Sequence, residues 1–402
     1  MKNIAVLHIS NIKNYGSSMM AVNLITYLNR KFPNSTFYVD NFKQQEVVGL
    51  KIQSGIDNIE SIYKSKPEIK NKLDIIKNTT EMAKIVKDKN IDAVIIVGGD
   101  DISEYYGVKL LLLGIFEKYL ISKKAPVILA GQSLGPFHSW RIPFMKKALK
   151  NFTIISRDQD CYNYVTNDLN NECFNSRDLA FLDLPMQKEE NSENFKYLNK
   201  YNLVNKEYIT IVASGLWKWY TDSHESYLNN QVSIIKKLIS RGNHIVVLAH
   251  VLAPDHVSDV HVINDIVKKL STEEMQKVAI ITEEMTPLQA RVILGQGKLT
   301  ITGRMHAAVS TFQMNKPAIS LSYSVKYAGV IGKGLNMQNL IVDSDIKNNK
   351  HKWDQEKIVD EVLEKVEYIT TNYDEIQKTI KINVQKSAEL ANQSLAYIAE
   401  QI

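Results

Sequence analysis

The sequence predicts an α/β protein with two Rossmann-like, doubly wound domains, over residues 1–186 and 207–345, followed by C-terminal helices over 353–402. Short, continuously apolar runs alternate with segments of helical spacing, a pattern typical of buried parallel strands and their crossover helices. The alternation stops at a polar stretch and then begins again. The chain of 402 residues is also longer than one hydrophobic core normally supports.

Composition narrows the class of protein. Hydrophobic residues make up 44% of the chain and charged residues 23%, as in soluble globular proteins. The net charge of +5 is small and dispersed, which argues against nucleic acid as a partner and is compatible with anionic substrates or a membrane surface. Cys161 and Cys173 give no disulfide framework, which favours a reduced, cytoplasmic setting. No apolar run approaches the roughly 18 residues of a spanning helix, and the start of the chain resembles a first strand, not a signal peptide.

In the first half, the apolar runs predict six strands, and the segments of helical spacing predict five helices between and after them. The predicted strands cover 4–9, 37–40, 47–50, 93–97, 127–130 and 153–156. The predicted helices cover 19–28, 69–87, 108–120, 141–149 and 159–165.

The loops after these strands carry polar residues and glycines, which is typical of ligand-binding loops at the carboxyl edge of a parallel sheet. The candidates are Asn14, Gly16, Ser17, Gly99, Asp100, Ser133, Gly135 and Arg157. The first loop has no G-x-G-x-x-G, so no dinucleotide site is predicted, and a plain connection fits it equally well. Asp100 and Asp101 could serve as a base or metal ligands, although such a pair more often caps the following helix.

The polar stretch 187–206 is interpreted as the linker, after which the same alternation returns. Predicted strands cover 208–213, 245–249, 278–281, 299–302 and 318–321, and predicted helices cover 231–240, 260–270, 287–294 and 305–314. Two amphipathic helices are expected over 359–402. Trp217 and Trp219 could form a sugar-stacking platform or the edge of a packed core.

The stretch from Leu299 to Val330 is the most informative part of the sequence. Arg304 and His306 lie where a predicted strand passes into a helix, and the free amides of a helix N-terminus favour an anion. Arginine offers a permanently charged fork for phosphate or carboxylate, and histidine can transfer a proton. A structural ion pair for Arg304 and a core position for His306 remain equally open.

Three histidines in the second half raise the question of a metal site. His250, His256 and His261 lie near Asp255 and Asp259, but their spacing matches no strong zinc pattern. Histidines of loops and helix surfaces are the favoured interpretation, and no metal is predicted.

Four segments together resemble the polysaccharide pyruvyl transferase family. They are GQSLGP at 131–136, ISRD at 155–158, DLAF at 178–181 and GRMHAAVSTFQMNKPAISLSYSVKYAG at 303–329. The resemblance implies a GT-B-like fold, with two domains facing one another across a cleft. It also implies transfer of pyruvate from phosphoenolpyruvate to a sugar diol, as a ketal, during cell-surface polysaccharide synthesis.

The resemblance also implies roles for individual residues. Arg304 and Arg157 would bind the phosphoenolpyruvate anion, and His306 would donate the proton. Met305, Tyr323 and Lys326 of the last segment would line the substrate site. The first domain would take the acceptor, a sugar of a lipid-linked or nucleotide-linked glycan, and the second would take the donor. Such an acceptor is compatible with peripheral association at the inner face of the membrane, and no cofactor beyond the donor is implied.

The first loops depart from the family pattern, with Gly16-Ser17 where many members have Gly-Asp, and acids after Gly98-Gly99 where many have Gly or Ser. These departures concern the acceptor more than the Arg304 and His306 site. Two alternatives stay open: a GT-B glycosyltransferase that uses a nucleotide sugar, and a non-catalytic glycan-assembly protein. The sequence predicts neither the acceptor sugar nor the oligomeric state.

Overall fold

The chain divides into two units, each made of separate stretches of sequence. The computed structural model describes residues 1–9, 11–41, 43–63, 72–189 and 191–402, without the side chains of 72–78. The first unit comprises Met1–Ile12, Ser17–Pro185 and Ser387–Ile402, and the second comprises Lys13–Gly16 and Met186–Lys386. Each contains a six-stranded parallel sheet with helices, so the predicted fold class is confirmed.

The sheet of the first unit has the order β3-β2-β1-β4-β5-β6, and every pair of neighbours is parallel. Its strands are β1 (Asn3–Leu7), β2 (Thr36–Val39), β3 (Ile59–Ser61), β4 (Ala93–Val97), β5 (Val127–Gln132) and β6 (Thr153–Ser156). Every residue of β4 is buried, as expected for an apolar strand covered on both faces.

The helices of the first unit are α1 (Tyr15–Lys31), α2 (Gln44–Ser54), α3 (Lys72–Asp88), α4 (Val108–Ser122), α5 (Arg141–Leu149) and α6 (Gln159–Asn163). The first two residues of α1 are grouped with the second unit. Residues 69–71 of the predicted helix lie outside the described residues. Buried side chains of α3, α4 and α5, among them Val86, Ile115 and Met145, share one apolar cluster with Val94 and Ile96 of β4.

The prediction of a strand at 47–50 is wrong, because these residues belong to α2. Val47 and Leu50 are buried, while Val48 between them is 41% exposed. This is one buried stripe of a helix, which a short apolar run cannot distinguish from a strand. The helix ends at Gly55, whose φ of 68° lies in the left-handed region that glycine adopts without strain.

The second sheet has the order β12-β11-β10-β7-β8-β9 and is also parallel throughout. Its strands are β7 (Tyr208–Val212), β8 (His244–Leu248), β9 (Val278–Ile281), β10 (Leu299–Thr302), β11 (Ala318–Ser322) and β12 (Ile341–Asp343). Its helices are α7 (Lys196–Lys200), α8 (His224–Ser240), α9 (Asp259–Val267), α10 (Thr272–Met275), α11 (Pro287–Gln296), α12 (Met305–Gln313), α13 (Ile346–Asp354) and α14 (Lys357–Thr371). The last helix, α15 (Tyr373–Glu400), belongs to this unit as far as Lys386 and to the first unit from Ser387 onward.

Two segments that the sequence sets apart as a linker and a C-terminal element have tertiary partners. Within 187–206, Tyr197 is buried and donates its hydroxyl hydrogen bond to the carbonyl of Glu284 at 2.8 Å. In α13, Trp353 is fully buried against Tyr227, with the ring centroids 5.1 Å apart. The segment at 187–206 therefore belongs to the second unit, and so does α13.

Each sheet has a point at which the order of its strands reverses. In the first unit this switch point lies between β1 and β4, and in the second it lies between β7 and β10. Open α/β sheets bind ligands at the carboxyl ends of the strands beside such a point. Across the described part of the chain, no helix is long and apolar enough to span a membrane.

Candidate active site

The turn between β10 and α12 is held rigidly at the switch point of the second unit. The carbonyl of Gly303 accepts hydrogen bonds from the hydroxyls of Tyr220 at 2.9 Å and Tyr327 at 2.7 Å. A Cβ on Gly303 would lie only 2.6 Å from the hydroxyl oxygen of Tyr220, so a side chain has no room there. Both tyrosines are fully buried, and burial raises the pKa of each well above its ordinary value, so their hydroxyls remain donors.

Arg304 is the N-cap residue of α12, and one side of its guanidinium is held by hydrogen bonds. Its Nε and Nη2 donate to Oδ1 of Asp259 at 3.0 and 2.7 Å, and Nη2 also donates to the carbonyl of Val257. Nη1 makes no hydrogen bond to a described residue, and the side chain is 11% exposed. Burial opposes the charge, but Asp259 outweighs it and raises the pKa of Arg304. The ion-pair alternative therefore holds for one side of Arg304, and the other side remains available to an anion.

Asp259 organises this corner although the sequence suggested it only as a metal ligand. Its carboxylate accepts hydrogen bonds from the backbone amides of Gly215, His250 and Val251, at 2.9 to 3.0 Å, in addition to those from Arg304. It thus joins the ends of β7 and β8 to the arginine. Among the described residues, no group of three or more histidines, cysteines and carboxylates is placed to hold a metal ion.

His306 lies in the first turn of α12, where no side chain caps the helix. Its imidazole is packed against the backbone of Gly16, because a Cβ on that glycine would lie 2.3 Å from Nδ1. The structure thus brings Gly16 to the predicted proton donor. The uncapped amides of α12 lie in the same turn, where they favour a bound anion.

The short segment Lys13–Gly16 is docked on the second unit by several contacts. The carbonyl of Lys13 accepts from the amide of Leu252 at 2.9 Å, and Asn14 forms a β-bridge with Val251. The hydroxyl of Tyr15 accepts from the amide of Met285 at 3.0 Å. Gly16 therefore belongs to the surroundings of His306, and Asn14 is held against Val251. Ser17, by contrast, begins the part of α1 that belongs to the first unit.

His250 is a further histidine of this region; it lies in the loop after β8, as predicted, but it is buried. It is 1% exposed and meets the ring of Tyr15 edge-on, with the centroids 5.5 Å apart. Its Nε2 has no hydrogen-bond partner among the described residues. Burial, with His306 and Arg304 nearby, lowers the pKa of His250 well below its ordinary value, so the ring is neutral.

Tyr323 and Lys326 of the last family segment form a pair. The Lys326 ammonium donates to the hydroxyl of Tyr323 at 2.8 Å and lies 4.7 Å from the centroid of its ring. Tyr323 also contacts Trp219, with centroids 5.9 Å apart, and Trp219 is half-buried, as expected for the edge of an aromatic core. Met305 is 5% exposed, so its side chain packs inward, and its backbone begins α12.

Arg157 also directly follows a strand, the edge strand β6 of the first unit, and its side chain is 2% exposed. Its Nη1 lies 3.3 Å from Oδ2 of Asp178, and its Nε donates to Oγ of Ser133 at 2.9 Å. Ser133 in turn donates to Asp158 at 3.0 Å. Burial opposes the charge here too, but the carboxylates of Asp178, Asp100 and Asp158 raise the pKa of Arg157.

The remaining candidates of the first unit lie around this ion pair and after β4. Gly99 accepts from the amide of Ser133 at 2.9 Å, and Asp100 accepts from the hydroxyl of Tyr106 at 3.0 Å. Gly135 has a φ of 76° and packs against Tyr164, which leaves no room for a side chain. The interpretation of Asp100 and Asp101 as caps of the following helix is wrong, because the N-cap residue of α4 is Gly107.

The site residues that sequence reasoning missed share one property, which is that their partners are distant in the chain. They are Tyr220 and Tyr327, which the sequence did not indicate, and Asp259 and His250, which it raised only in connection with a metal. The available signals were the Ser258-Asp259 start of a helix and a histidine directly after a buried strand.

Comparison with known proteins bears on the class of this site. A family model described as "Polysaccharide pyruvyl transferase" matches residues 14–325. The amylovoran biosynthesis protein AmsJ of Erwinia amylovora is 24% identical over 332 residues, which cover 78% of this chain and 74% of that protein.

Several solved structures share the fold. The S. aureus MnaA–UDP co-structure aligns with a TM-score of 0.63 and 12% identity, covering 100% of this chain and 98% of the other. A UDP-GlcNAc 2-epimerase from Neisseria meningitidis bound to UDP-GlcNAc gives 0.60 and 13%, covering 100% and 99%. A glycosyltransferase from Rickettsia africae ESF-5 gives 0.59 and 13%, covering 100% and 98%. These likenesses confirm the GT-B-like fold class.

Proposed function

Because this chain belongs to the polysaccharide pyruvyl transferase family, we propose that it transfers pyruvate from phosphoenolpyruvate to a sugar diol, as a ketal, during polysaccharide biosynthesis. One observation carries the proposal. Arg304, with Nη1 unused by the described residues, and His306 lie in the same uncapped helix turn at the switch point of the second unit. This arrangement supports the binding of a small anion beside a proton donor.

The second unit offers several groups to the phosphate and carboxylate of the donor. The guanidinium of Arg304 is held in place by Asp259, so little conformational entropy is lost when it binds an anion. The positive end of the α12 dipole also favours an anion at this turn. Lys326 supplies a second cation of the same family segment.

In the proposed reaction, His306 donates a proton to the methylene carbon of phosphoenolpyruvate, and positive charge develops at the adjacent carbon. One sugar hydroxyl attacks that carbon, the carbon–oxygen bond to phosphate breaks, and the second hydroxyl closes the ketal ring. Of the two hydroxyl protons released, one restores His306 and the other leaves with phosphate. Phosphoenolpyruvate is the only cosubstrate in this scheme, and no step needs a metal.

The donor is tested by thermal unfolding, because a ligand that binds the native state raises the melting temperature. We expect phosphoenolpyruvate to stabilise the protein and UDP-GlcNAc not to. In Arg304→Lys the apparent dissociation constant should rise about tenfold or more, since lysine cannot reproduce the planar fork. Exposed Lys333, of the same unit, provides a charge-neutral control as Lys333→Arg.

Stabilisation by UDP-GlcNAc alone would instead favour a nucleotide-sugar glycosyltransferase, for which the N-terminus of α12 could hold a diphosphate. Phosphoenolpyruvate-dependent stabilisation without phosphate release, in the presence of sugar acceptors, would favour the non-catalytic alternative.

A lipid-linked acceptor would place the enzyme at a membrane, and the first unit has a surface that fits such a location. Trp140 and Phe144 are 58% and 42% exposed, and Lys147 and Lys150 are exposed on the same helix region. Exposed aromatics beside basic residues bind anionic headgroup regions. Sedimentation with phosphatidylglycerol vesicles should exceed that with phosphatidylcholine vesicles and should fall in Trp140→Ser. Equal sedimentation of both proteins would contradict this association.

A further inference from the structure

A group of charged residues at the switch point of the first unit plays no part in the donor chemistry above. It comprises His8, Asp40, Asp101 and Lys118, called here the His8 cluster. His8 follows β1, Asp101 follows β4, and Lys118 lies on α4. The cluster therefore lies beside the point at which the strand order of this sheet reverses, where such sheets bind ligands.

The backbone after β1 is bent and fixed in a conformation that presents the His8 ring. His8 has a φ of 70°, which is uncommon for a residue with a side chain. The two carboxylate oxygens of Asp40 accept from the amides of His8 and Ile9, at 2.8 and 3.0 Å. Asp40 thus compensates for the bend and leaves the His8 side chain to face Asp101.

Lys118 has a buried side chain that ends in an ammonium close to Asp101. Its side chain is 4% exposed, and its Nζ lies 3.9 Å from Oδ2 of Asp101, beyond hydrogen-bonding distance. Within the described parts of the chain the ammonium makes no hydrogen bond. Asp101 and His8, by contrast, are 41% and 34% exposed, and Nδ1 of His8 lies 3.5 Å from Oδ2 of Asp101. An ammonium at the end of a buried side chain, with no hydrogen bond to a described residue, can donate to an oxygen atom of a ligand.

The charges of the cluster select the kind of ligand. The carboxylate of Asp101 faces the Lys118 ammonium, and Glu117 and Asp40 add further acidic groups around the cluster. Desolvation of the partly buried ring and the nearby Lys118 lower the pKa of His8, which favours the neutral ring. This balance disfavours an anion, and the ammonium disfavours a metal cation. Hydroxyl groups fit, because one hydroxyl can accept from Lys118 while another donates to Asp101 or His8.

We propose that Lys118, Asp101 and His8 bind neighbouring hydroxyl groups of the acceptor sugar in the first unit. This inference rests on the proposed function, since it assigns the acceptor of that reaction. It deepens that proposal by giving the acceptor site a recognition chemistry opposite to that of the donor site: paired hydroxyls of an uncharged ring instead of an anion.

The test uses the full-length protein and three probes, the p-nitrophenyl glycosides of galactose, glucose and mannose. Saturation-transfer NMR titrations would give their dissociation constants for the wild type, Lys118→Met, Asp101→Asn and a control. The control is Lys109→Met, which removes an exposed lysine from the same helix. At least one glycoside should bind the wild type and the control equally. Its dissociation constant should rise about tenfold or more in the other two variants, since each loses a charge-assisted hydrogen bond.

Asp101→Asn is the second variant in case Lys118→Met does not fold, because Asp101 is half-exposed. Unchanged glycoside binding in the folded variants, or no binding of any probe to the wild type, overturns the proposal. So does a melting-temperature rise with Mg²⁺ or Ca²⁺ that Asp101→Asn abolishes, because it would assign the cluster to a cation. The phosphoenolpyruvate-induced melting shift is measured in parallel. If phosphoenolpyruvate does not shift the melting temperature of the wild type, the donor proposal is contradicted. The acceptor-site proposal is still decided by the glycoside titrations.

Discussion

Arg304 and Arg157 each follow a buried strand and each contact a buried carboxylate, yet their surroundings differ. Arg304 follows β10 at a switch point, contacts one carboxylate through one side of its guanidinium and is 11% exposed. Arg157 follows the edge strand β6, is 2% exposed, and has Asp178, Asp158 and Asp100 around it. An arginine among several carboxylates gains less from a further anion than an arginine with one. We therefore expect the same local sequence pattern to serve ligand binding in one unit and packing in the other.

The largest expected effect is on turnover through His306. His306→Gln keeps approximate size and hydrogen bonding but cannot act as the acid. We expect phosphate release to fall by roughly 10²–10⁴-fold, with little change in phosphoenolpyruvate-induced stabilisation. Normal turnover by a folded variant would make His306 a structural residue.

Arg157 should matter more to stability than to the donor. Arg157→Met leaves the buried carboxylate of Asp178 without the arginine, and breaking such a pair typically costs about 3–5 kcal/mol. Denaturant unfolding would measure this loss. Arg177→Met is the control, because that guanidinium contacts Asn175 and a backbone carbonyl.

The outcome for the donor then decides between the two roles of Arg157. Phosphoenolpyruvate affinity that persists in folded Arg157→Met would confine the anion site to the second unit. A large loss of affinity would instead support the role that the family resemblance implies for Arg157.

Gly16 provides a way to displace His306 without changing it. A methyl group in Gly16→Ala would meet the imidazole, and we expect turnover to fall by about tenfold, since misplaced catalytic groups lose rate. A double-mutant cycle with His306→Gln isolates the cause. Gly16→Ala should add little to the loss already caused by His306→Gln. Additive losses would show that Gly16 acts by another route.

The smallest effect concerns a third arginine–carboxylate pair, Arg141 with Glu104, which is only partly buried. Hydrogen bonds from Arg141 lower the pKa of Glu104 from 4.5 to about 2. Because the folded value lies below the ordinary one, the pair stabilises the protein above about pH 4.5, and this contribution disappears as the pH falls toward 2. The difference in melting temperature between the wild type and Glu104→Gln should shrink over that range. A difference independent of pH would contradict the assignment.

The fold was predictable where burial makes strands continuously apolar, as in β4 and β7. It was not predictable for β3 and β12, which have three residues each and too little sequence to show a pattern. The strand prediction at 47–50 is wrong because two buried residues three apart fit either a strand covered on both faces or one stripe of a helix. Short apolar runs are decided by the surface they pack against, which local sequence does not contain.

The residues of the candidate site also fall into a part that the sequence predicts and a part that it does not. The turn of Arg304 and His306 follows from a strand, a glycine and a helix that are adjacent in sequence. Asp259 is 45 residues from the arginine that it binds, and Gly16 is further still from His306. These contacts depend on which strand ends become neighbours, so single-sequence patterns indicate the reactive groups but not the residues that hold them.

The division of α15 between the units has a practical consequence for dissecting the protein. Its C-terminal portion supplies Tyr397, which stacks on Phe174 with centroids 4.6 Å apart, and the carbonyl of Leu390, which accepts from Ser176. A recombinant fragment ending near residue 186 would lack these partners of the first unit. A fragment beginning there would lack Lys13–Gly16, and with it the backbone that buttresses His306. Independent expression of either half therefore calls for a circularly permuted gene or a fused peptide, not a single cut.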